Sequence, residues 1–499
     1  MKNRPPRQFV PLFVVQLLLA ACSATAHSPP APGVWPDPKP DPWPNPMPIP
    51  TPVVRTVPNF QAPSATHCAR PVQSREVPGR AGADQYSGSR HEYRDRLSKS
   101  APAEAAAAAP GVPGAPAAVP APSPRAEAGR LADSASSGLA APMFPSPQPQ
   151  TQQPPARGPV TAGMVDDNAD FAGYLAFRNR TRVEHRPRDI RERYLLEVKD
   201  TRGRGIADAE VAVQAASGHA MWARTDAAGK VWLHPNAFDP SRSAHYRVAV
   251  RKEGRHSSGY LARGQKSSVE IVLDARAAEP RARLDLVFLI DATGSMADEI
   301  DKLKATLRSI SAEVARLPSQ PDLCFGLVAY RDRGDAFLLR SHDFTGDVGD
   351  FLRDALRPLR AAGGGDYAEA MNEAFHETVH NLSWRGDGAT RMVVLLADAP
   401  PHLDYGGPSY DEDMLAALGK GIKVFSVGAS GLNRQGEFIQ RQIAQYTGGR
   451  FVFLTYAQAH DPASGPGRET VHDVKNYSVD TLDRLIVRLV TEELGKLAR

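Results

Sequence analysis

Apolar and polar positions alternate with a structural period over only part of this chain. Lys2, Arg4 and Arg7 precede a single apolar stretch, Phe9 to Ala20, and from there to about residue 160 no helical or strand period is sustained. Pattern resumes near Asp166. The stretch DDNADFAGYLAFRNR sets Phe171, Tyr174, Leu175 and Arg178 at helical spacing behind Asp and Asn residues that suit a helix N-cap, which predicts a short helical connector over 161–191. Over 192–276 the period shortens to that of strands. YLLEVKD, AEVAVQA, KVWLHP, HYRVAVRKE and SSVEIVL are divided by turn residues at Asp200 to Gly203 and Asp226 to Gly229, predicting a small antiparallel β-sandwich. From 284 to 499 the runs LDLVFLI, DLCFGLVAY, RMVVLLA, IKVFSVG and RFVFL are apolar on both faces, as strands of a buried parallel sheet are. Amphipathic patterns lie between them, at 298–317, 348–359, 368–382, 411–418 and 435–446, and a last one at 479–497. The fold class expected is α/β: a doubly wound, mostly parallel sheet with helices on both faces, with AFLLRSHDF as an edge strand.

Composition explains the unpatterned part. Of 45 prolines, many fall in Pro29 to Pro58, as in PDPKPDPWPNPMPIPTP, which favours extended polyproline II and cannot build a core. Residues 22–160 are therefore expected to form a disordered stalk and tether. The 60 basic and 56 acidic residues nearly balance, which argues against nucleic-acid binding driven by phosphate neutralisation. Three cysteines, Cys22, Cys68 and Cys324, offer no disulfide framework, and Cys324 within DLCFGLVAY reads as a small buried hydrophobe. No Cys/His zinc spacing, phosphate-binding glycine loop or G-x-S-x-G elbow is present.

Basic residues followed by about a dozen apolar ones form a signal peptide over 1–21, too short to span a bilayer core of about 30 Å. It ends in Leu19-Ala20-Ala21-Cys22, which resembles the lipobox of bacterial lipoproteins. The resemblance implies that Cys22 is lipidated and becomes the mature N-terminus, anchored by its acyl chains. Ser23, where an aspartate would resemble the inner-membrane retention signal, implies the outer membrane.

The residues that carry chemistry stand where the first strand of the α/β sheet ends, in Asp291-Ala292-Thr293-Gly294-Ser295. Open α/β sheets bind ligands at the carboxyl ends of their strands. The motif resembles the D-x-S/T-x-S signature of von Willebrand factor type A domains, whose adhesion site holds a divalent cation. That resemblance implies Mg²⁺, or Mn²⁺ or Ca²⁺, bound by Thr293, Ser295 and Asp291, with Asp398 of VVLLADAPP supplied by a second strand end. The family's other loop carries a threonine after glycines. Here Gly363-Gly364-Gly365-Asp366-Tyr367-Ala368-Glu369 lacks it, leaving Asp366 as the nearest oxygen donor. A purely structural alternative is that Asp291, Thr293 and Ser295 cap the following helix.

Upstream, Asp200, Gly203, Asp208, Ala209, Val211, Val213, Thr225, Asp226 and Gly229 resemble the pattern of carboxypeptidase-regulatory or transthyretin-like domains, which implies a β-sandwich and no catalysis. Arg333-Gly334-Asp335 spells an integrin-recognised tripeptide but sits where turn residues belong, and His402 follows Asp398 in a proline-rich loop. The function these residues imply is that of a cell-envelope lipoprotein whose cation completes its shell with an acidic residue of a protein partner. No general base accompanies the motif, so an enzyme is not expected. The alternatives are a metal-dependent hydrolase using Ser295 or a metal-bound water, and a spacer that assembles through its sandwich.

Overall fold

The computed structural model of the protein describes residue 68 and residues 74–79, 159–275, 282–386 and 388–498. The expected signal peptide, Cys22 and nearly all of the expected tether lie outside the described residues.

In chain order the elements begin with strands β1 (Ser74–Val77) and β2 (Thr161–Val165) and helix α1 (Phe171–Arg180). Short strands follow: β3 (Tyr194–Lys199), β4 (Glu210–Ala215), β5 (Ala220–Arg224), β6 (Lys230–Leu233), β7 (His245–Lys252), β8 (Arg255–Ala262) and β9 (Val269–Val272). Strands and helices then alternate, starting with β10 (Arg283–Asp291), α2 (Ala297–Ala315), β11 (Asp322–Tyr330) and β12 (Leu339–Thr345). Helix α3 (Met371–His376) continues as a π-helical turn over Glu377–Asn381 and leads to β13 (Ala389–Ala397), α4 (Tyr410–Lys420) and β14 (Ile422–Gly428). The chain closes with α5 (Arg434–Tyr446), β15 (Phe451–Gln458), β16 (Asp461–Pro466), β17 (Val479–Thr481) and α6 (Leu482–Gly495).

The large sheet runs β1-β12-β11-β10-β13-β14-β15-β2-β17, with β16 paired to β15. Strands β11, β10, β13, β14 and β15 are mutually parallel, and each outer pairing, β12 with β11 and β1 and β2 with β15 and β17, is antiparallel. Alternation within β10 explains why helices cover both faces. Val287 and Leu289 pack in one core with Phe375, Met414 and Ile443 of α3, α4 and α5. Leu286, Phe288 and Ile290 pack in the other with Leu303 and Leu307 of α2 and Leu485 and Leu489 of α6. The chain leaves β10 toward β11 on one side and reaches β13 on the other, so a topological switch point opens between the carboxyl ends of β10 and β13. Among the described residues no helix is long and apolar enough to cross a membrane.

Residues 192–275 form two smaller sheets, β6-β3-β9 and β5-β4-β7-β8, with inward Leu196, Val198, Val211, Val213, Val248 and Val250 fully buried in a shared core. Their turns follow the expected chemistry: Asp200 Oδ1 accepts from the amides of Arg202 and Arg204, and Asp226 Oδ1 from those of Ala228 and Lys230. Pairing is not wholly antiparallel, because β9 runs parallel to β3.

Three expectations need correction. AFLLRSHDF is not an edge, since β1 covers β12 with Ser74 opposite His342 and Val77 opposite Leu339. Cys68 and Cys324 are joined in a disulfide across 256 residues of sequence, so Cys324 is not a free thiol and residues 68 and 74–79 are not tether. The stretch 161–191 is not only a helical connector, because β2 inserts between β15 and β17 before α1 begins. The reason is common to all three. A lone strand of four or five residues, partnered far away in sequence, leaves no local period to read, whereas an open strand edge gains backbone partners from it. Arg75 and Glu76 then pair with Glu377 (2.9 Å) and Arg340 (2.7 Å). Reduction of the Cys68–Cys324 bond should release β1, and limited proteolysis should then cut within 74–79; protection unchanged by reductant would show that pairing alone holds the strand.

Candidate functional site

β10 is buried along its length and delivers Asp291 to the switch point fully enclosed. Asp291 Oδ1 accepts from the Thr293 amide (3.0 Å) and hydroxyl (2.6 Å), and Thr293 Oγ1 lies 3.1 Å from the exposed Ser295 hydroxyl. None of these three side chains caps a helix: neither the 3₁₀ turn Gly294–Met296 nor α2 has a side-chain cap bond. The capping alternative therefore fails, and the oxygens face one another instead.

Two further loops close on this one. The Gly294 amide donates to the Gly363 carbonyl (2.9 Å) and the Ala362 amide to that of Ala292 (3.0 Å), laying the glycine triplet along residues 292–294. Gly363 and Gly364 have φ of +78° and +79°, and a Cβ at Gly363 would sit 2.3 Å from the Asp335 carboxylate. Glycine is needed at both positions for backbone reasons, whatever binds nearby. Asp398 arrives from the end of β13, 2% exposed, and the loop that follows it joins the second one through the Glu369 amide and the Pro400 carbonyl (3.0 Å).

Asp291, Thr293, Ser295 and Asp398 thus meet as expected, but Asp366 does not. Its side chain is 61% exposed, with Oδ2 3.6 Å from His402 Nε2. The inward carboxylate of that loop is Glu369, 3% exposed, three residues on. The sequence signal for Glu369 is its place at the start of an amphipathic helix pattern, one turn past the glycines. Tyr330, at the end of β11, was also missed, being indistinguishable from a core aromatic, and it is fully buried beside Asp291, Asp398 and Glu369.

The electrostatics are those of crowded, dry carboxylates. Burial pushes Asp291 up to about 6 despite the Thr293 hydrogen bonds. Burial, then the charge of Asp291, pushes Asp398 well above the usual carboxylate range. Glu369 is pushed up to about 12 by burial, then by Asp291, Asp332, Asp398 and Asp335. Asp291 Oδ2, Asp398 Oδ1 and Glu369 Oε2 are buried without a hydrogen-bond partner. Unsatisfied buried oxygens cost about 1–3 kcal/mol each, more when charged, so a counter-charge is called for.

Around this centre the smaller motifs resolve. Asp335 is buried, its Oδ2 accepting from the amides of Asp332 (3.0 Å) and Gly364 (2.9 Å), while Arg333 pairs with Glu373 (2.9 Å) and lies over the Tyr405 ring. The Arg-Gly-Asp stretch is therefore a turn, with its aspartate turned inward. His402 stacks on Tyr405 with ring centroids 3.6 Å apart, and its Nε2 is 3.6 Å from Asp332.

A parallel α/β sheet with carboxylates and hydroxyls gathered at its switch point defines the class, and comparison with known proteins gives the family of this part of the chain. Residues 285–458 match the model of the von Willebrand factor type A domain. Among curated proteins, the alpha-protein kinase vwkA of Dictyostelium discoideum is 30% identical over 139 residues, covering 28% of this chain and 22% of that protein. An ariadne-like RING finger protein of Acanthamoeba polyphaga mimivirus is 30% identical over 122 residues, covering 24% of this chain and 12% of that protein. The chain thus spans under a quarter of either relative's length. Among solved structures, the pilus adhesin SpaC of Lactobacillus rhamnosus GG in its open conformation aligns over 51% of this chain and 32% of that one, at 14% identity and TM-score 0.29.

Proposed function

We propose that this protein is a lipid-anchored cell-envelope lipoprotein that holds a protein partner through a divalent cation bound by Asp291, Thr293, Ser295 and Asp398, with Glu369 in place of Asp366 as the third carboxylate. The observation that carries the reading is the set of buried carboxylate oxygens, on Asp291, Asp398 and Glu369, that lack any partner at the mouth of the switch point. Carboxylates and neutral hydroxyls suit a hard cation such as Mg²⁺, which takes oxygen ligands and keeps part of its water shell. Bound there, the cation would supply positive charge facing outward past the exposed Ser295, where an acidic side chain of a partner can complete its shell. Domains of this type commonly mediate adhesion and protein binding, which agrees with such a role.

The anchor belongs to the same proposal. Cys22 would hold the chain to the outer membrane, and the proline-rich residues 29–58 would set the domain away from it. Support comes from the Cys68–Cys324 disulfide, since such bonds persist chiefly in oxidising compartments such as the periplasm or cell surface.

The test is capture of envelope proteins by the full chain in Mg²⁺, in chelator, and as Asp291→Ala. A partner retained only by the wild type in Mg²⁺ is expected; one that ignores both chelator and substitution would assign binding to another surface. Mass spectrometry of the mature protein should find an acylated Cys22 at its N-terminus, and Cys22→Ala should leave the protein in the soluble fraction.

A further inference from the structure

α3 and α4 carry a second group of ligand-type side chains, on helices rather than at the strand ends that form the site above. His376 and His380 stand one helical turn apart, so both rings project from one face, and they stack with centroids 4.4 Å apart and planes at 27°. Asp413, in the first turn of α4, faces them. Its Oδ1 lies 3.0 Å from His376 Nδ1 and 2.9 Å from His380 Nε2. One donor atom from each of the three residues lies within 4.8 Å of the others. From this geometry we propose that His376, His380 and Asp413 bind a divalent transition metal ion of the zinc type.

Three features favour a cation over a plain helix-to-helix clamp. A clamp needs one imidazole, yet here two converge on a single carboxylate oxygen. The other oxygen, Asp413 Oδ2, is buried without a partner although Asp413 is only 3% exposed, a costly arrangement unless something else binds it. The imidazoles themselves are 41% and 35% exposed, which gives a metal an entry path and leaves room for water as a fourth ligand.

The surrounding frame is fixed by contacts of its own. Glu377 is engaged by Ser341 (2.8 Å), Arg75 (2.9 Å) and Asn381 (2.6 Å), Lys420 Nζ donates to the Val379 carbonyl (2.6 Å), and the Asp413 amide donates to the Ser409 carbonyl (3.0 Å). His380 is carried by the π-helical turn at the end of α3, a local widening often found at functional sites. With metal–ligand bonds near 2.0–2.1 Å, tetrahedral geometry separates ligand atoms by about 3.3 Å, so the two histidine–aspartate separations of 2.9 and 3.0 Å need only a few tenths of an ångström of opening, and the two ring nitrogens lie within 4.8 Å of each other. Two imidazoles and one carboxylate suit zinc, cobalt or nickel, whereas Mg²⁺ prefers oxygen donors throughout. The two sites should therefore sort cations by ligand type.

The test is titration of the full, metal-free chain with Co²⁺, followed through its visible absorption, and then displacement by Zn²⁺. A single equivalent with the intensity of a nitrogen-ligated, low-coordinate ion is expected. His376→Asn and His380→Gln should each weaken Co²⁺ binding by at least the roughly 10–100-fold that loss of even an outer-shell partner costs. Asp413→Asn should do the same; should that buried variant fail to fold, the two exposed histidine variants still decide, with circular dichroism verifying their fold. Asp291→Ala should leave the cobalt spectrum intact. A wild type without that spectrum, or histidine variants that bind Co²⁺ as tightly as wild type, would overturn the proposal without touching the Mg²⁺ site.

Discussion

Adding Mg²⁺ to the metal-free protein is expected to raise its melting temperature. A ligand that binds only the folded state stabilises it by RT ln(1 + [L]/Kd), about 2.7 kcal/mol at a hundredfold excess over Kd, roughly 5–11 °C for a domain of this size. Asp291→Ala should abolish that gain, because it removes the one side chain that both orders Thr293 and offers a free buried oxygen. In the absence of metal the variant should melt at or above the wild type, since it deletes a buried carboxylate crowded by Asp398 and Glu369. Differential scanning calorimetry on both proteins, with and without Mg²⁺, reads all four values. Equal gains in wild type and variant, or no calorimetric sign of Mg²⁺, Mn²⁺ or Ca²⁺ binding to the wild type, would remove the cation from the proposed function.

Asp208→Ala is expected to cost more, about 3–5 kcal/mol, the usual penalty for stripping one partner from a buried ion network. Asp208 joins the small sheets to the α/β unit. Its carboxylate meets Arg224 (2.9 Å) from β5 and Arg391 (2.8 Å) from β13, lies 3.8 Å from Lys252, and accepts from the Gly388 amide (2.7 Å). Burial alone would raise its pKa, but Arg224, Arg391 and Lys252 outweigh it and hold the group far below the usual range. A carboxyl whose folded pKa is depressed adds stability that is fully present above its unfolded value, about 3.9, and is lost as pH falls toward the folded value. Urea unfolding should therefore show the full difference between wild type and variant at pH 5 to 7, narrowing only in stronger acid. A loss under about 1 kcal/mol at neutral pH would mean that the two units do not depend on this contact.

The parts of the fold that could be read from sequence are those whose constraints are local. β10, β11, β13 and β14 announce themselves because strands covered on both faces need apolar residues at nearly every position, and the Asp200 and Asp226 turns because each aspartate bonds its own backbone. Asp291, Thr293 and Ser295 were legible for the same reason, being close together at one strand end, and Asp398 because it ends another. The choice between Asp366 and Glu369 was not local. It depends on how the loop crosses Gly363 and Gly364, which only the packing against Asp335 and Thr293 decides. β1, β2 and the meeting of His376, His380 and Asp413 are likewise products of distant segments brought together, for which a single sequence holds no period.

The covalent bond between Cys68 and Cys324 also sets how the molecule would carry mechanical load. Tension applied anywhere before residue 68 and resisted at Asp291 has a direct route: through the sulfur bridge into β11, and from there across the parallel ladder to β10. That ladder would be loaded, whereas the stretch of chain between Cys68 and β10, which holds both small sheets, would be bypassed. A pull on the chain before Cys68 would reach Asp291 without first unravelling what lies between.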